Sequence, residues 1–188
     1  MASAAHASQW SVGATDGEHL VAARGDLIRV WAVPPAGPGV DLSQTGRSRP
    51  GASGLCVRDG RVAIATDWSA TVQIRGVDGT TGPTLNPGVR RVGAVTCLEG
   101  GGWAVIGFPR IAVSNPEVID TGPGVVFFYN SLGLPIARWE VPAGAVAITN
   151  SGVRSVAALA ASGQIWEGNP GLGSPRVTEL LPGKQVGP

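Results

Sequence analysis

The chain repeats itself, and the repeat limits its fold more than any single motif does. Four segments align: residues 10–35 (WSVGATDGEHLVAARGDLIRVWAVPP), 54–79 (GLCVRDGRVAIATDWSATVQIRGVDG), 95–108 resuming at 124–142 (VTCLEGGGWAVIGF, then GVVFFYNSLGLPIARWEVP), and 146–168 (VAITNSGVRSVAALAASGQIWEG). Each opens with a short apolar strand. A turn follows at Asp16-Gly17, Asp59-Gly60, Gly100-Gly101 or Ser151-Gly152, residue types that tolerate the backbone of a tight hairpin. A second apolar strand comes next (LVAAR, VAIAT, WAVIG, SVAALA), then an alternating third (LIRVW, TVQIR, GVVFFY, GQIWE). A more polar stretch closes each unit (GVDLSQ, GPTLN, PIARWEV, RVTELL) and reads as an outer strand.

The marker glycines Gly17, Gly60, Gly101 and Gly152 lie 43, 41 and 51 residues apart, the longest interval holding an insertion. A period near 40–45 residues with four strands per unit is the pattern of a propeller blade. The expected architecture is therefore all-β, a β-propeller of four blades, each a four-stranded antiparallel sheet. The expected divisions are a flexible N-terminus over 1–9, blades at about 10–50, 51–90, 91–143 and 144–182, and a tail over 183–188. No strand exchange mixes the two termini in one blade. The ring is thus a compact four-bladed one, or an incomplete one completed by another chain or domain. Ile64, Val105 and Val156 are expected to be buried at related blade positions.

On these residues the chain resembles the WD40 repeat family. LIRVW of the first unit is similar to the third-strand end of a WD40 repeat, and SGQIWEG echoes it. The Trp-Asp dipeptide is replaced by Trp31-Ala32 and Trp166-Glu167, and the Gly-His pair is missing. The third segment also resembles an FG-GAP repeat, but the Asp-x-Asp-x-Asp-Gly loop that binds calcium in that family does not occur.

Composition narrows the function classes. Charged residues make up 14% of the 188, against about 25% in average globular chains. The net charge is +1 with no basic run, which argues against a nucleic-acid footprint. The start MASAAHASQW has neither the basic opening nor the apolar core of a secretory signal. No apolar run reaches the length of a membrane helix. The expected location is intracellular, in the cytoplasm, without membrane insertion.

Catalytic patterns are absent. His6 and His19 have no Cys or carboxylate at ligand spacing, and there is no nucleophile elbow, P-loop or dinucleotide fingerprint. Cys56 and Cys97 each precede a marker glycine by four residues and share a column with Gly13 and Ile148. That column is a small apolar inner-strand slot, so both thiols are expected reduced, buried and not bonded to each other. No metal or cofactor is expected.

The expected function is a non-catalytic protein–protein interaction scaffold, a structural or accessory subunit whose partners are other protein subunits. Propeller topology brings the loops between second and third strands to the same face as the loops between blades. Trp68 in TDWSAT, Arg90 and Arg91 in NPGVRR, and Arg110, Asn115 and Glu117 in the insertion FPRIAVSNPEVIDTGP fall on that face. Arg and Trp are the residues that most often anchor protein interfaces, and long loops on rigid scaffolds often carry binding. The insertion reads as a Pro-rich loop. Loop 34–51 is expected at the opposite face. Trp31, Trp103 and Trp166 read as core; Trp139 packs between blades or contacts a partner at the rim. Two alternatives remain at this level: an enzymatic or small-ligand propeller using Asp67, Arg90, Arg91, Arg110, Glu117 and Asp120, and a calcium-binding FG-GAP-type adhesion domain.

Overall fold

The computed structural model describes residues 12–43, 51–66, 69–109, 112–114, 117–119, 123–143, 145–152, 155–160, 163–171 and 175–179. Blade one is built from β1 (Val12–Thr15), β2 (His19–Arg24), β3 (Leu27–Ala32) and β4 (Val40–Asp41). Blade two is β5 (Ala52–Arg58), β6 (Arg61–Thr66), β7 (Val72–Gly76) and β8 (Thr81–Leu85). Blade three begins with β9 (Arg91–Cys97) and β10 (Trp103–Phe108). A separate ribbon, β11 (Ala112–Ser114) and β12 (Glu117–Ile119), interrupts it before β13 (Pro123–Tyr129) and β14 (Pro135–Ala143). Blade four is β15 (Ala145–Gly152), β16 (Ser155–Ala160), β17 (Gln164–Gly168) and β18 (Arg176–Glu179). Each blade is a four-stranded antiparallel sheet with its strands in chain order, and the ribbon is a sheet of its own.

The second strand of each blade explains how the blades stack. Its side chains alternate between faces, and both faces are apolar. Val62 and Ile64, Trp103 and Val105, and Val156 and Ala158 look back toward the preceding blade, none more than 2% exposed. Val21 and Ala23, Ala63 and Ala65, and Ala104 and Ile106 look toward the following blade and are equally buried. Small side chains on one sheet meet larger ones on the next, which is how twisted sheets pack without voids. Ile64, Val105 and Val156 occupy the buried slots the repeat assigns them.

These contacts gather into three buried apolar clusters, which join blade one to two, two to three and three to four. Among the described residues no such cluster joins blade four back to blade one. The outer face of blade one leaves Leu20 38% exposed, where the equivalent Val62 and Val156 are at 0%. On the outer face of blade four Ala157, Leu159 and Ile165 are only half-buried, and Ala147 and Thr149 are exposed. Among the described residues the four blades thus form a propeller arc with no blade against either end face, as in an incomplete ring.

Two expectations need correction, and one alternative is decided. Cys56 and Cys97 are not free: they form a disulfide with a Cα–Cα distance of 5.7 Å. Equivalent positions on adjacent blades come this close because inner strands converge on the axis. Gly54 on β5 lies so near the β9 backbone that an added Cβ would stand 3.2 Å from the Val95 nitrogen. The missing side chain lets the strands approach to disulfide reach. Of the two readings of Trp139, packing between blades holds and the rim contact does not. Trp139 is 7% exposed and lies against Phe128 with ring centroids 5.1 Å apart, inside the cluster between blades three and four. The insertion is not a plain loop, since part of it pairs as the β11–β12 ribbon.

Candidate functional site

Two ends of the propeller carry polar chemistry. The first holds the β6–β7 loop, the β8–β9 loop and the connection from β10 to the ribbon. Backbone hydrogen bonds stitch these three together. The Val92 N–H donates to the Ser69 carbonyl at 2.7 Å, and the Arg90 N–H donates to the Phe108 carbonyl at 3.1 Å. The β6–β7 loop is held by the Ser69 N–H donating to the Thr66 carbonyl at 3.1 Å and by the Thr71 N–H donating to Ser69 Oγ at 3.1 Å. The β8–β9 loop is an Asx turn, the Gly88 N–H donating to Asn86 Oδ1 at 3.0 Å.

Packing fixes the same junction. The Phe108 ring covers Gly93, and Val89 covers Gly107 closely enough that a Cβ there would meet Val89 methyls at 2.9 Å. Val89 and Phe108 are themselves buried. The loop bearing Arg90 and the root of the ribbon are therefore one packed unit, not two independent excursions.

The residues singled out in the sequence distribute as follows. Arg90 is exposed at the end of the β8–β9 loop, and Arg91 is half-buried as the first residue of β9, in register with Phe108. Glu117 opens β12 in register with Ser114. Trp68, Arg110 and Asn115 lie outside the described residues, as do Asp67 and Asp120. Among the described residues, Thr66 and Ser69 belong to the hydrogen-bonded junction.

The second end was not anticipated. The inner strands of all four blades line a concave cavity of about 590 Å³ along the propeller axis, with Asp16, Glu18, Arg58, Asp59, Thr96 and Asn150 among its walls. The Cys56–Cys97 disulfide forms part of the lining. The turn residues Asp16 and Asp59 pointed to this end, but as hairpin formers, not as a lined space. The chemistry of Asp16 is largely spent on structure. Burial pushes the Asp16 carboxyl upward, but the His19 and Glu18 backbone N–H groups and the His19 ring outweigh it, so its pKa lies below the ordinary value. Arg58 faces Glu99 of blade three at 3.6 Å, and Arg61 donates to the Ser131 carbonyl at 2.7 Å, both bridging blades two and three. Among the described residues no three His, Cys, Asp or Glu side chains gather to hold a metal ion. No helix among them is long and apolar enough to cross a membrane.

No protein-family model matches the sequence, and no curated protein does. Solved structures do match. The computationally designed Ika8 protein superimposes with a TM-score of 0.66 at 16% identity, over 93% of this chain and 50% of that one. The RRP9 WD40 repeats give 0.63 at 17% identity, over 93% and 50%. The Neurospora crassa Pan2 WD40 domain gives 0.64 at 10% identity, over 93% and 51%. The likeness is one of fold: a WD40-type propeller. The chain spans about half the length of these structures.

Proposed function

We propose that this chain is a non-catalytic protein–protein interaction scaffold, a subunit of a larger assembly, and that it binds protein partners through the end carrying the ribbon. The observation behind this reading is the pair of hydrogen bonds, Val92 to Ser69 and Arg90 to Phe108, that joins three loops from two blades into one surface. A preorganised surface loses little ordering entropy on binding. Arg90, Arg91 and Arg110 would supply planar charge-assisted hydrogen bonds, Trp68 apolar area, and Asn115 and Glu117 polar contacts from the ribbon. WD40 propeller neighbours support the scaffold reading by analogy of fold only. For location, the disulfide weighs against the reducing cytoplasm expected from composition, since cytosolic thiols are normally kept reduced.

The test separates binding from folding. Arg90→Ala, Arg110→Ala and a chain with 109–122 replaced by a short Gly turn are compared with wild type for protein partners recovered on native purification, beside a melting curve for each. The reading predicts loss of the partners that wild type retains, with the melting temperature unchanged. Arg91→Ala is kept separate, because a half-buried strand residue also contributes to packing. Full retention of partners by all three variants, each as stable as wild type, overturns the reading.

A further inference from the structure

The two uncovered end faces of the arc are different from each other, and each resembles one half of an interface the chain already makes three times. On β2, Leu20 and Ala22 occupy the positions that Val62 and Ile64, Trp103 and Val105, and Val156 and Ala158 occupy in the other blades, facing backward. On β16, Ala157 and Leu159 occupy the positions of Val21 and Ala23, Ala63 and Ala65, and Ala104 and Ile106, facing forward. Every one of the interior residues in these two series is at most 2% exposed, whereas Leu20 is 38% exposed and Ala157 and Leu159 are half-buried. Beside Leu20, in register across the sheet, Trp31 lies half-buried over the Gly39 backbone. Beside Leu159, Ile165 is half-buried in the same way. Among the described residues nothing packs before blade one or after blade four as the interior blades pack on each other.

The propellers this chain superimposes on are about twice its length. The arc superimposes on 50% of the length of Ika8 and of the RRP9 repeats while using 93% of its own.

We propose that a second copy of this chain covers both end faces, blade four of each copy packing on blade one of the other. A two-fold axis along the propeller channel relates the copies and closes an eight-bladed ring. Such a contact is head to tail, and two half-turns close it without leaving an open end. Each new interface repeats the small-on-large packing of the three interior ones, with Ala157, Leu159 and Ile165 against Leu20, Ala22 and Trp31. The faces also differ in charge chemistry. Blade one presents Arg29, whose Nε–H is buried without a hydrogen-bond acceptor in the chain, and blade four presents the exposed Glu167. The cavity lined by the inner strands becomes half of the channel of the completed ring.

The 188-residue chain is measured by light scattering after gel filtration and by native mass spectrometry. The expected species has twice the 19.0 kDa chain mass. Leu20→Arg on one end face, or Leu159→Arg on the other, is expected to halve that mass while the melting transition stays cooperative. If Leu159→Arg fails to fold, Thr149→Arg on the same face, already exposed, takes its place. Mixing the blade-one and blade-four variants is expected to restore a species of double mass, because one wild-type pair of faces remains between unlike chains. A folded wild-type chain of single mass overturns the proposal, as does a ladder of higher oligomers. A dimer unchanged by both substitutions, or one not restored on mixing, overturns it too.

Discussion

Cys56 and Cys97 sit on adjacent inner strands, 41 residues apart in sequence. Closing a loop of that length restricts the unfolded chain by about 4 kcal/mol in the chain-entropy account, with about 2–4 kcal/mol typical in practice. Replacing both by Ser is expected to lower unfolding free energy in denaturant titration by an amount in that range; a change near zero means the thiols are not joined. Tyr129 offers a second residue-scale test, since it is the chain's single tyrosine. Burial pushes its hydroxyl up to about 12. The unfolded chain ionises near 10, so between those values it binds fewer protons than the folded chain, and stability falls as pH rises through the window. Absorbance at alkaline pH should show a folded-state midpoint near 12; a midpoint near 10 contradicts the burial. The cysteine column was visible in the repeat, but the distance between columns of neighbouring blades was not. An alignment gives a residue's slot within its own sheet, and it took Gly54 against the β9 backbone to bring the two sulfurs together.

Among elements, the second strand of each blade carries the most packing. Ile64→Ala, Val105→Ala and Val156→Ala should each cost roughly 1–4 kcal/mol, because each leaves a cavity between two sheets that cannot close up. Neutral results at all three would remove the blade alignment. Period and hairpin turns made these strands legible: Gly17, Gly60 and Gly101 all adopt the left-handed backbone that the turns demand. Trp139 was harder to read. Its strand alternates like an exposed outer strand, with exposed Arg138 and Glu140 on either side of it. It is buried only because blade four packs over it, a contact between units that a single unit's pattern does not contain. The β11–β12 ribbon was legible as an insertion and not as a sheet, since three-residue strands give too short an alternation to separate from a loop.

At the scale of the molecule, three interfaces among four blades leave two apolar faces without a neighbour among the described residues, and the arc superimposes on about half the length of solved WD40-type propellers. The sequence pattern allowed a closed four-bladed ring as readily as an open one, because the repeat reports units and not the angle between them. That the β6–β7 and β8–β9 loops share an end was legible as a topological consequence: loops that alternate along a blade must share an end. The axial cavity was not, since it is lined by residues from four units that are remote in sequence. The dependence of the unfolding midpoint on chain concentration distinguishes the open arc completed by a second copy from a self-sufficient ring. Coupled association and folding raise the midpoint with concentration. For two 188-residue chains unfolding together, a hundredfold increase should raise it by about 4 °C. A midpoint that stays constant over that range would mean that the end faces need no second copy.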